Sequence, residues 1–197
     1  MMKNTNTLVI FGHPDPNSFN GAILKTVENK LIDKKYQFIF KNLYQLNFNP
    51  VLTSDDLKKT KNSSVASDIA IEQNDIEWAK NIIFIYPIWW AGQPAMVKGW
   101  IDRVLTPGFA YAFQEDGTIK GLLSDKVVMV FTTTRSGEEN TTESGMAAAI
   151  EKTVMEGIFG FCGINTMLYK NLYGVSKATE AEKKEMLAEV EYLLNAI

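Results

Sequence analysis

The feature that most constrains the fold is the alternation of short apolar segments with longer segments of helical spacing. The apolar segments are 7–12, 36–40, 81–86, 126–131 and 165–169, and each is typical of a strand buried on both faces. The intervening segments with helical character are 18–31, 69–79, 94–104, 142–157 and a last helix that begins after Thr179 in a capping box. Strands that alternate with helices predict a parallel sheet covered on both sides, and therefore an α/β fold.

Five strands in 197 residues fit the doubly wound, flavodoxin-like strand order 2-1-3-4-5, with helices on both faces. The 46% of apolar residues can form a sizeable core. We find no internal repeat, low-complexity tract or interdomain linker, so we expect residues 1–197 to form one domain.

Composition excludes several kinds of chemistry. One histidine, His13, and one cysteine, Cys162, leave no residues for a disulfide framework, a multi-cysteine zinc site or an HExxH metalloprotease. A net charge of −3 argues against nucleic acid as a partner. The longest apolar run, 82–92, is shorter than the roughly 20 residues of a membrane helix and contains Pro87. We therefore expect a soluble, cytoplasmic protein without membrane insertion.

Ligands of such sheets bind beyond the carboxyl ends of the strands, where the strand order reverses. After the first strand, the loop HPDPNSFNG (13–21) leads into a helix N-terminus. Its free backbone N–H groups, the Ser18 hydroxyl and the Asn20 amide favour an anion, so one interpretation is a phosphate site. The alternative is that Ser18 only caps the helix. Neither a dinucleotide fingerprint nor a P-loop motif is present.

Two further strand ends carry notable residues. After the third strand, YPIWWAGQP (86–94) places two adjacent tryptophans in a loop, which suits the wall of a pocket for a planar ring. The alternative is that both only cover the end of the sheet. After the fourth strand, TTTRSG (132–137) supplies hydroxyl groups and backbone donors. Three aromatic residues at period two within 107–113 predict either an edge strand or a lid.

Taken in order, four segments of this chain resemble one protein family. They are HPDPNSFNGA, LYQLNFNPV (43–51), YPIWWAGQPAMVKGWIDRVLTPGFAYAF (86–113) and TTTRSG. The segment 87–113 is the specific part, and the match covers about the first 140 residues. The sequence resembles the NAD(P)H:quinone oxidoreductase branch, of the DT-diaphorase type, within the flavodoxin-like family.

The resemblance implies a flavin-binding domain and assigns residues by position. The flavin phosphate loop of the family is matched by His13, Ser18, Phe19 and Asn20. The segment along the isoalloxazine ring is matched by Pro87, Ile88, Trp89 and Trp90. The turn at the pyrimidine side of the ring is matched by Thr132, Thr133, Ser136 and Gly137. Trp90, Tyr111 and Phe113 match the aromatic walls of a substrate pocket that a homodimer completes. His13 is then a phosphate donor, and no side chain is assigned as catalytic or metal-binding.

One departure from the family is marked. Vertebrate-type members follow the turn with a tyrosine and a histidine that support charge on the reduced flavin, whereas the aligned residues here are Asn140 and Met146. Arg135 occupies a position at which the family usually has a small residue. Either it compensates electrostatically or it points to solvent.

The implied function is two-electron, ping-pong transfer of a hydride from NAD(P)H through the flavin to a quinone or similar planar acceptor. The 43–51 segment and the long 42–80 region resemble the FAD-binding branch of the family, whereas the chain length also resembles shorter FMN-binding relatives. The resemblance therefore implies FAD, with FMN as the alternative. Azo and nitro compounds are alternative acceptors. Two other functions stay open from sequence alone: a flavodoxin-type electron carrier and a regulatory partner of a membrane transporter.

Overall fold

All five predicted sheet strands form, and they pair in the predicted order. The computed structural model describes residues 5–58 and 65–197; within the long 42–80 region, residues 59–64 lie outside the described part. The strands are β1 (Thr7–Phe11), β2 (Phe38–Asn42), β3 (Asn81–Pro87), β4 (Tyr111–Phe113), β5 (Ile119–Gly121), β6 (Val127–Thr133) and β7 (Thr166–Leu172). The sheet has the order β2-β1-β3-β6-β7 with parallel pairing throughout, while β4 and β5 form a separate antiparallel hairpin.

Helices connect the strands on both faces of the sheet. They are α1 (Phe19–Asp33), α2 (Ser54–Lys58), α3 (Ser67–Trp78), α4 (Ala95–Val104), α5 (Glu138–Glu143), α6 (Met146–Lys152) and α7 (Glu180–Leu193), with a π-helix at Thr153–Gly160 and a 3₁₀ turn at Leu194–Ala196. Ser18 caps α1 by accepting a hydrogen bond from the Gly21 N–H, and Thr179 and Glu182 form the predicted capping box of α7. Among the described helices, none is both long and apolar enough to span a membrane.

Several boundaries differ from the sequence prediction; the last sheet strand, for example, extends to Leu172 instead of ending at residue 169. The second strand lies two residues later than expected, at Phe38–Asn42. The helix expected over 142–157 is divided into α5, α6 and the π-helix, because Gly145 adopts a left-handed conformation with φ of 72° between the first two. The loop 106–124 contains the β4–β5 hairpin, so two of its alternating aromatic residues, Tyr111 and Phe113, belong to a short strand outside the main sheet.

Each face of the sheet has its own apolar core. On one face, β-strand residues such as Val9 and Phe11 pack with Ile23, Val27 and Leu31 of α1 and with residues of α7. On the other face, Leu8, Ile10 and Phe84 pack with α3, α4 and the π-helix. Because successive strand residues point to opposite faces, β1 contributes alternately to both cores. This explains why its sequence is apolar from Leu8 to Phe11.

Two buried ionic clusters fix the helices on the α3–α4 face. The Arg103 guanidinium contacts Asp56 at 3.1 Å and Asp68 at 2.7 Å, and donates to the Asn49 carbonyl oxygen at 2.8 Å. In the second cluster, Glu72 accepts hydrogen bonds from the Lys41 ammonium and the Trp100 indole N–H, each at 2.9 Å. These pairs join segments that are distant in sequence, which the hydrophobic pattern alone does not indicate.

Candidate functional site

A cavity of about 740 Å³ lies at the carboxyl ends of β1, β3 and β6. This is the edge at which the strand order reverses, because the connection from β1 leads to β2 on one side, whereas the connection from β3 leads to β6 on the other. Its walls come from loops after all three strands and from α5 and α6. The lining residues are His13, Ser18, Phe19, Asn20, Pro87, Ile88, Trp89, Trp90, Ala91, Thr133, Thr134, Arg135, Ser136, Thr141, Met146, Ile150 and Val175.

The loop after β1 is held by its own hydrogen bonds. The Asp15 N–H lies 3.0 Å from His13 Nδ1, and the Asp15 carboxylate accepts the Asn17 N–H at 2.8 Å. His13 Nδ1 also lies 2.9 Å from the Asp15 carbonyl oxygen, so its role depends on the tautomer. With Nδ1 as the acceptor from the Asp15 N–H, Nε2 carries the proton and can donate to a ligand, whereas with Nδ1 as the donor a neutral imidazole has Nε2 as an acceptor. The Ser18 hydroxyl accepts the Gly21 N–H, but its own proton remains available. Capping and ligand binding by Ser18 are therefore compatible.

Asn20 is the most informative residue of the cavity. Its side-chain amide donates to Thr133 Oγ1 at 2.9 Å, which links the start of α1 to the end of β6. Asn20 is 4% exposed. Among the buried side-chain polar atoms of residues 5–58 and 65–197, Asn20 Oδ1 is the one without a hydrogen-bond partner. Such an atom destabilises the fold by about 1–3 kcal/mol unless a donor reaches it. A ligand hydroxyl in the cavity would supply that donor.

The two tryptophans belong to a tight turn after β3. The backbone groups of Trp89 and Gly92 exchange two hydrogen bonds of 3.0 Å. The central residues Trp90 and Ala91 both have positive φ, 50° and 58°, as a type I′ turn requires. This conformation is unfavourable for any residue except glycine or asparagine. It places the Trp90 ring at the tip of the turn, where the residue is fully exposed beside the cavity.

Replacing Ala91 with glycine tests this account of the turn. We expect the free energy of unfolding to increase by about 0.5–1 kcal/mol, because glycine adopts positive φ without a Cβ clash. Ala148→Gly is the matched control: Ala148 is an exposed residue of α6, where glycine lowers stability by about 1 kcal/mol. Urea unfolding of both variants measures the two effects. Equal destabilisation by the two substitutions contradicts the strain at Ala91.

The structure separates the two threonines at the end of β6. The Thr133 side chain faces the cavity and contacts Asn20, whereas Thr132 Oγ1 lies 2.8 Å from Asn171 Oδ1 and 3.0 Å from the Tyr169 hydroxyl. Alternation along the strand is the cause, since neighbouring side chains point to opposite faces. Thr132 was predicted as a cofactor-binding residue, but its buried side chain does not line the cavity. Burial raises the pKa of Tyr169 to about 12, so its phenol stays protonated.

Three other predicted residues also lie outside the cavity. Gly137 precedes α5 and lines a smaller neighbouring cavity. Tyr111 and Phe113 lie on β4, where the Tyr111 ring contacts the Phe113 ring at 5.7 Å and the Phe161 ring at 4.9 Å between centroids. These aromatic residues cluster on the hairpin, whose strands do not belong to the main sheet. Within one chain they do not form walls of the cavity.

Sequence reasoning did not select seven of the lining residues as binding residues. They are Ala91, Thr134, Arg135, Thr141, Met146, Ile150 and Val175. Met146, which aligns with the family's histidine, lines the cavity. Asn140, which aligns with the family's tyrosine, does not line it, but the next residue, Thr141, does. Val175 follows β7, so applying the strand-end rule to the fifth strand would have found it. Thr141 and Ile150 depend on how α5 and α6 fold back, which no local motif indicates.

The cavity is basic in an acidic chain. His13 and Arg135 are the titratable residues of its lining, and no aspartate or glutamate belongs to that set. In the part of the chain that the structure describes, no cluster of three or more His, Cys, Asp or Glu residues could hold a metal ion. Cys162 is buried elsewhere, and burial raises the pKa of its thiol to about 11. The arrangement is suited to an anionic, ring-containing ligand.

The sheet order and the position of the cavity define a doubly wound α/β protein with a cavity at the β1–β3 switch point. A family model described as flavodoxin-like fold matches residues 5–194, so the chain belongs to this family.

Three relatives show how far the similarity extends. An uncharacterized NAD(P)H oxidoreductase of Haemophilus influenzae is 34% identical over 92% of this chain and 90% of its own length. A ribosyldihydronicotinamide dehydrogenase [quinone] of Mus musculus is 29% identical over 100% of this chain and 93% of its own. The solved NAD(P)H:quinone oxidoreductase of Methanothermobacter marburgensis superposes with a TM-score of 0.85 at 25% identity, covering 96% of this chain and 97% of the other. They confirm the predicted resemblance to NAD(P)H:quinone oxidoreductases.

Proposed function

We propose that this protein is a flavin-dependent NAD(P)H oxidoreductase that reduces quinones or similar planar acceptors. One observation carries the proposal: the buried, unpartnered Asn20 Oδ1 at a basic cavity with aromatic walls. The oxidoreductase names of the similar proteins support the same class of reaction.

The residues present fit a flavin. The N–H groups of Phe19 and Asn20 are at the first turn of α1, with the Ser18 hydroxyl and His13 Nε2 nearby, which together suit a phosphate. Asn20 Oδ1 can accept from a hydroxyl of the ribityl chain. Ile88, Trp89 and the Thr133–Ser136 turn can enclose the ring. Each type of flavin group thus has a matching protein group.

A bound flavin would accept a hydride from NAD(P)H and return two electrons to the acceptor, so no side-chain nucleophile is required. The protein's own contribution is to bind and orient the reactants. Trp90 and Met146 provide apolar walls for the planar groups that enter in turn, which suits a ping-pong reaction in one shared pocket. Without the family's tyrosine and histidine, the backbone N–H groups of Arg135 and Ser136 are the candidate donors toward the ring edge, since the Thr134 N–H is bonded to the Leu172 carbonyl oxygen.

We propose FAD rather than FMN as the resident flavin. A second cavity of about 420 Å³ adjoins the first and shares Ser18, Phe19 and Val175 with it. Lys183 and Ser176 also line this second cavity, so a cation and a hydroxyl lie just beyond the proposed phosphate loop. That arrangement suits a second phosphate and an adenosine group, which FMN lacks.

We also propose that the working form is a homodimer. Phe113 and Phe161 are 69% and 40% exposed, and they surround Tyr111 in an aromatic cluster on the hairpin side. Trp90 is fully exposed at the cavity mouth. In a dimer, Tyr111 and Phe113 of one copy would lie against Trp90 of the other. This contact would cover both the aromatic cluster on the hairpin and the exposed Trp90 ring. The predicted aromatic pocket would then be complete.

The test begins with the flavin. The purified chain is denatured, and the released flavin is identified by chromatography and quantified against protein. Anaerobic addition of NADH or NADPH should bleach the flavin absorbance within the mixing time of a stopped-flow instrument, and a quinone should restore it. Bound flavin that NAD(P)H does not reduce would support an electron carrier instead. A chain that neither contains nor takes up flavin contradicts the proposal.

Replacing Trp90 with alanine tests the shared pocket. We expect kcat/KM to fall about three- to tenfold for both NAD(P)H and the quinone, because a stacked aromatic ring contributes about 0.5–1.5 kcal/mol. The control is Tyr192→Ala, which removes an aromatic residue that is 74% exposed on α7, away from the cavity. Steady-state kinetics with each substrate varied in turn provide the measurement. Unchanged constants for both substrates show that Trp90 is not a wall of the pocket.

A further inference from the structure

Arg135 is an unpaired cation at the cavity. It lies on the turn after β6, where Thr134 Oγ1 donates to the Ser136 carbonyl oxygen and the Thr134 N–H donates to the Leu172 carbonyl oxygen. The turn is therefore fixed on both sides of Arg135, while the Arg135 side chain is exposed and lines the cavity. Within the ranges 5–58 and 65–197, its guanidinium forms no hydrogen bond or ion pair.

Several other cations of this chain are paired with acidic residues. Arg103, the other arginine of the chain, is buried and contacts two aspartates. Surface lysines such as Lys98 and Lys170 form ion pairs with acidic residues on their own or neighbouring helices. The acidic residues Glu138 and Glu139 begin α5 three and four positions after Arg135, yet neither pairs with it. The Arg135 guanidinium thus remains available to a ligand.

The sheet places Arg135 away from the proposed phosphate loop. That loop follows β1, whereas Arg135 follows β6, and β3 lies between these strands. Adjacent strands are about 4.8 Å apart, so the two strand ends are separated by about 10 Å. A phosphate held by His13 and Ser18 would therefore leave Arg135 free for a second negative charge.

We infer that Arg135 binds an anionic group of a substrate in this cavity, either a phosphate of the nicotinamide nucleotide or an acidic substituent of the planar acceptor. The inference rests on the proposed function, because it takes the loop after β1 to be occupied by the resident flavin. The guanidinium is suited to this role, since it binds phosphate, carboxylate or sulfonate oxygens through two parallel N–H donors. Its exposure at the cavity suits a ligand that enters and leaves.

Calorimetric titration with two quinones that differ in one charged group tests the inference directly. Anthraquinone-2-sulfonate and the neutral 2-(hydroxymethyl)anthraquinone are titrated into the purified protein and into the variants Arg135→Gln and Arg135→Lys. If the acceptor carries the anion, Arg135→Gln should raise the Kd of the sulfonate at least fivefold relative to the neutral quinone. Arg135→Lys should recover part of this difference. The control Lys184→Gln removes the same charge from an exposed position on α7.

A second arm separates the nucleotide source. KM is compared for NADPH, NADH and the uncharged donor N-benzyl-dihydronicotinamide. If the nucleotide phosphate is the ligand, Arg135→Gln should raise the KM of NADPH or NADH relative to the uncharged donor, while the two quinones respond alike.

Two ratios decide the inference: the Kd of the sulfonate over that of the neutral quinone, and the KM of NADPH or NADH over that of the uncharged donor. The inference is overturned if Arg135→Gln leaves both ratios within twofold of wild type, or if Lys184→Gln changes them as much as Arg135→Gln does. It is also overturned if the wild-type protein binds neither quinone and no nicotinamide donor. Absence of flavin reduction together with an Arg135-dependent Kd for the sulfonate would reject the proposed reaction but keep the anion site.

Discussion

Replacing Arg103 with methionine should lower the free energy of unfolding by about 3–5 kcal/mol, the usual effect of removing one partner from a buried ion pair. The side chains of Arg103 and Asp56 are 6% and 5% exposed, so the substitution leaves a buried carboxylate without its cation. It also removes the bonds to Asp68 and to the Asn49 carbonyl oxygen. Methionine keeps most of the apolar volume. Denaturant unfolding with linear extrapolation is the measurement.

Lys98→Met is the matched control on the same helix. Lys98 pairs with Asp102 at 2.6 Å, but the two side chains are 51% and 36% exposed. Such a surface pair contributes little, so we expect a change within about 0.5 kcal/mol. Similar losses for Arg103→Met and Lys98→Met would mean that burial does not determine the stability of the Arg103 cluster.

The same variant has a predictable pH dependence. Burial opposes ionisation of Asp56, but hydrogen bonds from Arg103 and Thr53 outweigh it and lower its pKa from 3.8 to about 2. A lowered carboxylate pKa stabilises the fold fully above the ordinary pKa and progressively less as the pH falls toward 2. Without Arg103, burial is opposed only by the hydrogen bonds from Thr53, so the pKa of Asp56 should rise above its wild-type value and protonation should reduce the destabilisation of the variant. The stability difference between wild type and Arg103→Met should therefore narrow between pH 5 and 3, and a difference that stays constant contradicts this role of Asp56.

Gly21→Ala should destabilise the protein by about 3 kcal/mol, at the upper end of the usual effect of overpacking. A Cβ at Gly21 would lie 1.8 Å from the Pro16 carbonyl oxygen and 2.7 Å from its carbonyl carbon. Both atoms belong to the backbone, so either the loop after β1 or the start of α1 must shift. Because Ser18 and Asn20 lie between Pro16 and Gly21 in the chain, a shift there would also displace them. We therefore expect a lower flavin content at purification. Urea unfolding and flavin quantification measure the two effects.

The control for Gly21 is Gly157→Ala. A Cβ at Gly157, in the π-helix, would meet no atom within 4 Å. Alanine should therefore increase stability by about 0.5–1 kcal/mol through its better helix propensity. If Gly21→Ala is as stable as Gly157→Ala and retains its flavin, the loop and the helix are not as closely packed as the structure indicates.

Prediction from sequence succeeded where local pattern and topology coincide. The apolar runs identified the five sheet strands, and three residues selected by the strand-end rule, Ser18, Asn20 and Trp89, line the cavity. Ser18 and Trp89 lie in loops directly joined to buried strands, and Asn20 lies in the first turn of the helix that follows, so their positions follow from the sheet itself. The resemblance to a family then gave their expected roles.

Prediction failed where a role depends on orientation or on distant contacts. Nothing local distinguishes Thr132 from Thr133, because the outcome depends on which face of β6 meets α1. Gly145 divides a segment whose apolar spacing otherwise favours one helix. The Arg103 cluster joins residues 35 to 54 positions apart, and no periodicity indicates such a pairing. Long-range polar contacts have to be observed in three dimensions.

Thr133 connects three strand-end segments. Its Oγ1 accepts a hydrogen bond from Asn20 of α1, and its carbonyl oxygen accepts the Ile88 N–H at 2.8 Å. The loops after β1 and β3 are consequently ordered during folding rather than when a ligand arrives. Preorganisation of this kind lowers the conformational entropy lost on binding, so affinity for a rigid planar ligand can be high without an extensive contact area.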